Sequence, residues 1–260
     1  MSVDVIDLSA FYNSALGHVA QRYIERAIEQ FLPETKGLRV LGLGYAIPYM
    51  ERFRKEAASL VALMPAAQGV VNWPQGQQSA TALVDPLALP LPDSSIDRVV
   101  LVHALETVNN PTDFLKEIWR ILTPGGRLIM VTPNRRGLWA RMDTTPFGQG
   151  QPFSRSQLRS LMREALFSTD NWAEILYVPP VDNHLLLKTV KIWETLGGSF
   201  SLPFSVAGLH VVDASKQLYR LIPAGQKQRK QRLGRLLVPA ASPSTINSKN
   251  TSLANSEHKN

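Results

Sequence analysis

Two glycines separated by one residue mark a segment that could bind a nucleotide. Residues 38–48 run from an apolar, β-type stretch into Gly42-Leu43-Gly44 and then into a helix-like segment. Glycine suits such a bend because the backbone must turn tightly and approach a ligand that a Cβ would block. In a parallel α/β sheet, a nucleotide site opens in this order of strand, glycines and helix. The pattern by itself is equally compatible with a ligand site and with a simple turn.

A carboxylate, Asp85, ends the third predicted strand and begins a proline-rich loop. The loop continues through Pro86 to Asp97, where the next strand begins. An acid at the carboxyl end of a parallel strand lies at the edge of the ligand crevice. There it can accept a hydrogen bond from an amine such as the exocyclic group of adenine. The alternative is an aspartate that ends a strand and starts a turn.

One histidine and a group of arginines are further candidates. His103 ends the fourth predicted strand, where it can be a base, a wall of a ligand site or a structural residue. Arg135, Arg136 and Arg141 surround Trp139 after the next strand. They could bind an anionic or aromatic ligand, or they could be the solvated charges of a helix surface. The five histidines are scattered, without the spacing of a metal site. The chain has no cysteine, which excludes disulfides and thiolate ligands.

Strands and helices alternate along the part of the chain that must position these residues. The predicted strands are at about 38–43, 59–64, 81–84, 97–103, 127–132, 172–177 and 208–212. The predicted helices are 48–56, a helix that begins at Asn110, 157–167 and 184–196, and helical spacing over 8–32 predicts one or two more. This alternation predicts an α/β fold with a doubly wound, mostly parallel sheet.

The charge distribution separates the C-terminal segment from the rest. Residues 1–213 carry 19 basic and 20 acidic side chains, whereas residues 214–256 carry eight basic and no acidic ones. We therefore predict an N-terminal helical cover (1–36), an α/β domain (37–222) and a basic, disordered tail (223–260). The folded core does not favour a nucleic-acid partner, and the tail would attract an anionic partner weakly. Neither a membrane span nor a signal peptide is predicted, so a cytoplasmic location is expected.

From Val40 to Pro133 the sequence resembles the class I S-adenosylmethionine-dependent methyltransferases, in particular the group related to small-molecule and quinone methylating enzymes. The similar segments are the glycine motif, the loop 85–97 with its Leu-Pro-x-Pro-Asp core, and the helix-turn-strand around Leu-Thr-Pro-Gly-Gly. The resemblance implies a seven-stranded, Rossmann-like sheet with an antiparallel last strand. It also implies S-adenosylmethionine as the cofactor and methyl transfer to a small-molecule acceptor. The cofactor-binding residues that it implies are Gly42, Leu43, Gly44, Met64, Asp85, Pro86 and His103.

Two departures from the family pattern leave a second interpretation open. Ala46 stands where the family has a third glycine, and Met64 stands where an acid at the end of the second strand would hold the ribose hydroxyls. Loss of that carboxylate predicts donor binding weaker by about one to two orders of magnitude. The alternative is an inactive methyltransferase-fold protein with a regulatory or scaffolding role.

No residue is identified as a catalyst, because methyl transfer depends largely on positioning the acceptor in line with the methyl group. A nicotinamide-dependent dehydrogenase is disfavoured, since the chain contains no Tyr-x-x-x-Lys.

Overall fold

A seven-stranded sheet forms the centre of the computed structural model, which describes residues 3–180 and 207–218. Its strands are β1 (Arg39–Gly44), β2 (Ser59–Pro65), β3 (Thr81–Val84), β4 (Ile96–Val102), β5 (Leu122–Pro133), β6 (Phe167–Ile175) and β7 (Leu209–Lys216). They lie in the order β3-β2-β1-β4-β5-β7-β6, with β1 to β5 parallel and β7 antiparallel to both of its neighbours. The prediction of a doubly wound, mostly parallel sheet with an antiparallel last strand is confirmed.

Helices cover both faces of this sheet. They are α1 (Val5–Tyr12), α2 (Ala15–Phe31), α3 (Ile47–Met50), α4 (Pro111–Ile121) and α5 (Arg155–Glu164). Side chains of α1, α2 and α3 share one core with one face of the strands, and those of α4 and α5 share a second core with the other face. Successive residues of β4 alternate between the two cores, as the pleat of a strand requires: Val99 joins the second core and Val100 the first.

Two helices differ in length from their predictions. The helix predicted over 48–56 has four α-helical residues and continues as a 3-10 turn, because Ala46 provides no side-chain cap for its first turn. The helix predicted over 157–167 begins earlier, since Ser154 and Gln157 form a capping box, and it ends before Leu166, which has a left-handed φ of 62°. The N-terminal cover consists of two helices, and the side chain of Ser14 caps the second of them.

The two strands after α5 also have bounds that the sequence missed. β6 was predicted over 172–177 and spans residues 167–175, because it pairs with β7 along this whole length. β7 extends four residues beyond its predicted end at 212. The helix predicted over 184–196 and the basic tail lie outside the described residues, and the division into three parts stays a prediction. No helix in the described ranges is long and apolar enough to cross a membrane.

Candidate functional site

The glycine pair at the end of β1 is required by packing. A Cβ on Gly42 would lie 3.1 Å from both Ala46 Cβ and Met50 Sδ, so glycine lets α3 approach the strand. Gly44 has a left-handed φ of 72°, and a Cβ there would overlap the carbonyl oxygen of Val102 on β4. Leu43, between them, is buried in the core. Packing alone therefore accounts for both glycines, whether or not a ligand binds beside them.

Buried rings occupy the carboxyl ends of β1 and β4. Tyr45, directly after Gly44, stacks on Tyr12 of α1 with ring centroids 5.5 Å apart. The Tyr12 hydroxyl accepts a hydrogen bond from the Tyr49 hydroxyl at 2.9 Å and lies 2.8 Å from Nε2 of His103. Phe147 packs on the His103 ring at a centroid distance of 4.7 Å. We term these residues the aromatic cluster; it consists of Tyr12, Tyr45, Tyr49, His103 and Phe147, each at most 7% exposed.

Hydrogen bonds hold His103 within the aromatic cluster. Its Nε2 bonds the Tyr12 hydroxyl, and its carbonyl oxygen accepts a hydrogen bond from Gln68 Nε2 at 2.8 Å. Its Nδ1 lies 3.4 Å from the buried Oε1 of Glu106 but forms no hydrogen bond with it. Burial raises the pKa of Tyr12 and of Tyr49 well above the usual phenol value, so both hydroxyls stay protonated. These contacts enclose His103 between side chains of the described residues, which fits the structural interpretation of this histidine better than that of a base.

A cavity of about 430 Å³ opens beside Asp85, between the carboxyl ends of β2 and β3 and the segment after β4. Residues 65–68, 84–87 and 107–110 line it, and we term it the Asp85 cavity. Asp85 and Pro86 form one wall, and Gln68, which bonds His103, belongs to another. Oδ1 of Asp85 accepts a hydrogen bond from the Leu87 amide at 2.8 Å. The aspartate thus starts a turn and also lines a cavity, as both interpretations of the sequence required.

Met64, the residue at the position of the missing carboxylate, is fully buried. Its side chain belongs to the core that α1 and α2 share with the sheet. The end of β2 therefore offers no carboxylate for a ribose. Of the seven cofactor-binding residues predicted from the sequence, Asp85 and Pro86 line a cavity. The other five are buried in the core: Gly42, Leu43, Gly44, Met64 and His103.

A second cavity, of about 460 Å³, lies beside the carboxyl end of β5, and we term it the arginine cavity. Arg136 lines it together with three residues of α5 that the sequence analysis missed: Arg155, Arg159 and Arg163. The signal for them was present in the sequence as three arginines four residues apart, of which Arg159 and Arg163 fall within the helix predicted over 157–167.

The residues around Arg136 have different surroundings. Arg135 and Arg141 are exposed. Trp139 is fully buried and donates its Nε1 hydrogen to the carbonyl oxygen of Val178 at 2.7 Å, so it is a core residue.

A third cavity, of about 690 Å³, lies between α1 and residues 142–149. Phe11 lines it, and the Phe11 ring packs against Phe147 of the aromatic cluster at a centroid distance of 5.8 Å. In residues 3–180 and 207–218 no group of three or more histidines and carboxylates could hold a metal ion.

Comparisons with known proteins agree with this architecture. Residues 41–130 match the family model of the methyltransferase domain. A protein of Mycolicibacterium smegmatis named as an S-adenosylmethionine-dependent methyltransferase is 34% identical over 85 residues, which is 32% of this chain and 33% of that protein. A ubiquinone/menaquinone biosynthesis C-methyltransferase of Dinoroseobacter shibae is 32% identical over 115 residues, 44% of this chain and 38% of that one. The matched segments thus span little more than a third of these relatives.

A solved structure shows the same fold over most of the chain. It is an S-adenosylmethionine-dependent methyltransferase of Thermotoga maritima, with a TM-score of 0.58 and 19% identity, covering 82% of this chain and 96% of that one. Residues 41–130 therefore carry the methyltransferase domain, and the described chain has the fold of the class I S-adenosylmethionine-dependent methyltransferases. S-adenosylmethionine is the cofactor that this domain and fold imply.

The residues of the carboxyl edge fit this cofactor in part. The Asp85 cavity has a volume suited to a nucleoside and an acid that can accept a hydrogen bond from adenine. At the ends of β1 and β4, by contrast, the aromatic cluster fills the space, and Met64 replaces the ribose carboxylate. The structure therefore fits the adenine end of the cofactor, whereas Tyr12 and its neighbours occupy the space nearest Gly44.

Proposed function

We propose that the chain transfers a methyl group from S-adenosylmethionine to a small-molecule acceptor. The observation that carries this proposal is the Asp85 cavity, which lies at the carboxyl edge of a methyltransferase sheet and has Asp85 and Pro86 in its wall. The bound cofactor would supply an activated methyl group. Asp85 would hold the adenine amine, and residues 107–110 after β4 would pack on the base.

The acceptor has room on the other side of the aromatic cluster. The cavity of about 690 Å³ between α1 and residues 142–149 falls in the size range of small-molecule sites. Apolar side chains such as Phe11 and Met142 line it together with the hydroxyl-bearing Thr144 and Thr145. This mixture suits a partly apolar ring compound, and the quinone methyltransferase of Dinoroseobacter shibae makes a quinol the first acceptor to assay.

A second function is favoured by a specific observation, the filled space over Gly44. Tyr12, Tyr45 and His103 are at most 7% exposed there, and the nearby end of β2 carries a methionine in place of an acid. A protein that kept the fold and lost the chemistry would combine these features. The alternative function is a regulatory or scaffolding role without methyl transfer.

Calorimetric titration with S-adenosylmethionine and with its demethylated product separates the two functions. For the enzyme we expect saturable binding, weakened at least about tenfold in Asp85→Ala, because a hydrogen bond to a charged group is lost. Asp170→Ala, at an exposed residue of β6, is the matched control and should bind as the wild type does. Met64→Asp is unsuitable as a test, since it would place a carboxylate in the apolar core.

Binding alone does not establish transfer, so the second measurement uses a methyl-labelled donor with a quinol acceptor. Transfer of label that is reduced in Asp85→Ala supports the enzyme. If neither donor nor product binds at millimolar concentration, the methyltransferase proposal fails and the scaffold takes its place.

A further inference from the structure

Four arginines converge on the arginine cavity. Arg155, Arg159 and Arg163 are four residues apart and therefore lie along one face of α5, while Arg136 approaches from the segment after β5. Like charges at this spacing repel one another and destabilise an isolated helix. The arrangement is thus unfavourable for the empty helix and becomes favourable when an anion lies between the guanidinium groups.

The cavity carries an excess of positive charge. Among the described residues that line it, Glu174 is the one acid, and its Oε1 lies 3.7 Å from Nη1 of Arg155. Within residues 3–180 and 207–218, no carboxylate forms an ion pair with Arg136, Arg159 or Arg163. Three guanidinium groups therefore remain for a ligand.

Stacking on one tryptophan holds two of the arginines in place. The guanidinium carbons of Arg155 and Arg159 lie 5.0 and 5.9 Å from the centre of the Trp172 ring, within the range of cation–π attraction. The His210 ring packs on the same tryptophan at a centroid distance of 5.2 Å. Trp172 thus restricts the side chains around the cavity before any ligand binds, which lowers the entropy cost of binding.

A buried histidine in the cavity wall has no hydrogen-bond partner in the described part of the chain. His210 is 1% exposed, and neither of its ring nitrogens has a hydrogen-bond partner among the described residues. Its Nδ1 lies 3.7 Å from Oε1 of Glu174, which is too long for a hydrogen bond. Buried polar groups are nearly always paired, so this imidazole indicates a ligand atom that the cavity would supply.

We propose that the arginine cavity binds the phosphate group of a phosphate-bearing small molecule. Guanidinium groups bind phosphate oxygens in pairs, and a dianion matches an excess of several positive charges better than a single carboxylate does. The hydroxyl of Ser156 lines the same cavity and is a further donor, whereas the Ser154 hydroxyl already donates to Gln157 Oε1 in the capping box of α5. The volume of about 460 Å³ accommodates a small molecule. This binding is independent of the proposed methyl transfer.

The test is a titration of the full chain with inorganic phosphate at constant ionic strength, without any methyl donor, followed by calorimetry. We expect saturable binding by the wild type and binding at least about tenfold weaker in the double variant Arg136→Gln/Arg159→Gln. Arg135→Gln removes a neighbouring exposed arginine that does not line the cavity, and its affinity should equal that of the wild type. Circular dichroism verifies that each variant is folded.

Four outcomes would overturn the proposal. One is the absence of saturable phosphate binding at millimolar concentration, and another is equal binding by the double variant and the wild type. Acetate that binds as tightly as phosphate would indicate a carboxylate site instead. A single-stranded oligonucleotide that binds more tightly than phosphate, and loses affinity in the same double variant, would indicate a nucleic-acid surface and equally contradict a small-molecule site. None of these results depends on whether the chain binds S-adenosylmethionine.

Discussion

Removal of one hydroxyl, in Tyr12→Phe, tests whether the aromatic cluster is a cohesive part of the core. The Tyr12 hydroxyl accepts a hydrogen bond from Tyr49 and forms a second one with Nε2 of His103, in which the tautomer of the ring decides which group donates. The substitution keeps the ring that stacks on Tyr45 and deletes both hydrogen bonds. Both former partners are buried, at 1% and 2% exposure, where water does not readily replace the lost contacts.

The size of the effect follows from the two groups left without a partner. An unsatisfied buried donor or acceptor costs about 1–3 kcal/mol, so the loss of both hydrogen bonds in Tyr12→Phe should lower the free energy of unfolding by roughly 2–6 kcal/mol. For a domain of this length the corresponding decrease in Tm is on the order of 10 °C. Urea unfolding followed by tryptophan fluorescence measures the first quantity, and calorimetry measures the second.

Tyr45→Phe is the matched control in the same ring stack. The Tyr45 hydroxyl bonds Ser9, which is only half-buried, so water can take the place of the lost partner. Its loss should cost about 1 kcal/mol or less. Equal stability of the two variants would refute the reasoning, because it would mean that Tyr49 and His103 find other partners once the Tyr12 hydroxyl is absent.

Two further predictions concern buried charged and titratable groups. Asp213 is fully buried on β7 and accepts hydrogen bonds from Arg127 Nε at 3.0 Å and from Asn171 Nδ2 at 2.7 Å. Asp213→Ala should therefore lower the free energy of unfolding, measured in urea, by about 3 kcal/mol. The control Glu51→Ala breaks an exposed ion pair and should change this free energy by less than about 1 kcal/mol. Burial lowers the pKa of His210 to about 4. The charge of Glu174 raises this pKa in part, and the charge of Arg155 lowers it further. Because the unfolded chain binds this proton at higher pH than the folded chain does, the free energy of unfolding should fall by roughly 3 kcal/mol at most as the pH decreases from about 6.5 to 4. In phosphate-free buffer, His210→Gln should reduce this dependence of stability on pH. An unchanged dependence would contradict the lowered pKa of His210.

The sheet could be predicted from the sequence because its signals are local. For each of the five parallel strands the sequence contains a mainly apolar run of four to seven residues next to a turn, although β5 begins five residues before its predicted start at 127. The Asn110-Pro111 start of α4 is a capping signal that needs no tertiary information. The bounds of β6 could not be predicted in this way, since pairing with β7 sets them and the two strands are far apart in the sequence.

The candidate site was predictable only where it depends on the strand ends. Asp85 and Pro86 lie where the family pattern places them, beside a cavity at the carboxyl edge. The position of Tyr12 was not predictable, because α1 reaches His103 across 91 residues of sequence and no periodicity reports such a contact. The arginine cavity was missed for a similar reason: Arg136 and α5 meet only in the folded chain.

The methionine at the end of β2 and the aromatic cluster have a common physical basis. Met64, Tyr12 and Tyr45 belong to the same apolar core, and all three are less than a tenth exposed. A carboxylate at position 64 would be stable there only with water or a ligand hydroxyl as its partner, because an unpaired buried charge is very costly. A chain that keeps α1 packed over this edge therefore favours an apolar residue at position 64. It follows that donor affinity should depend on how readily α1 moves as well as on Asp85, since a binding-competent state that is rarely populated reduces the apparent affinity in proportion to its population.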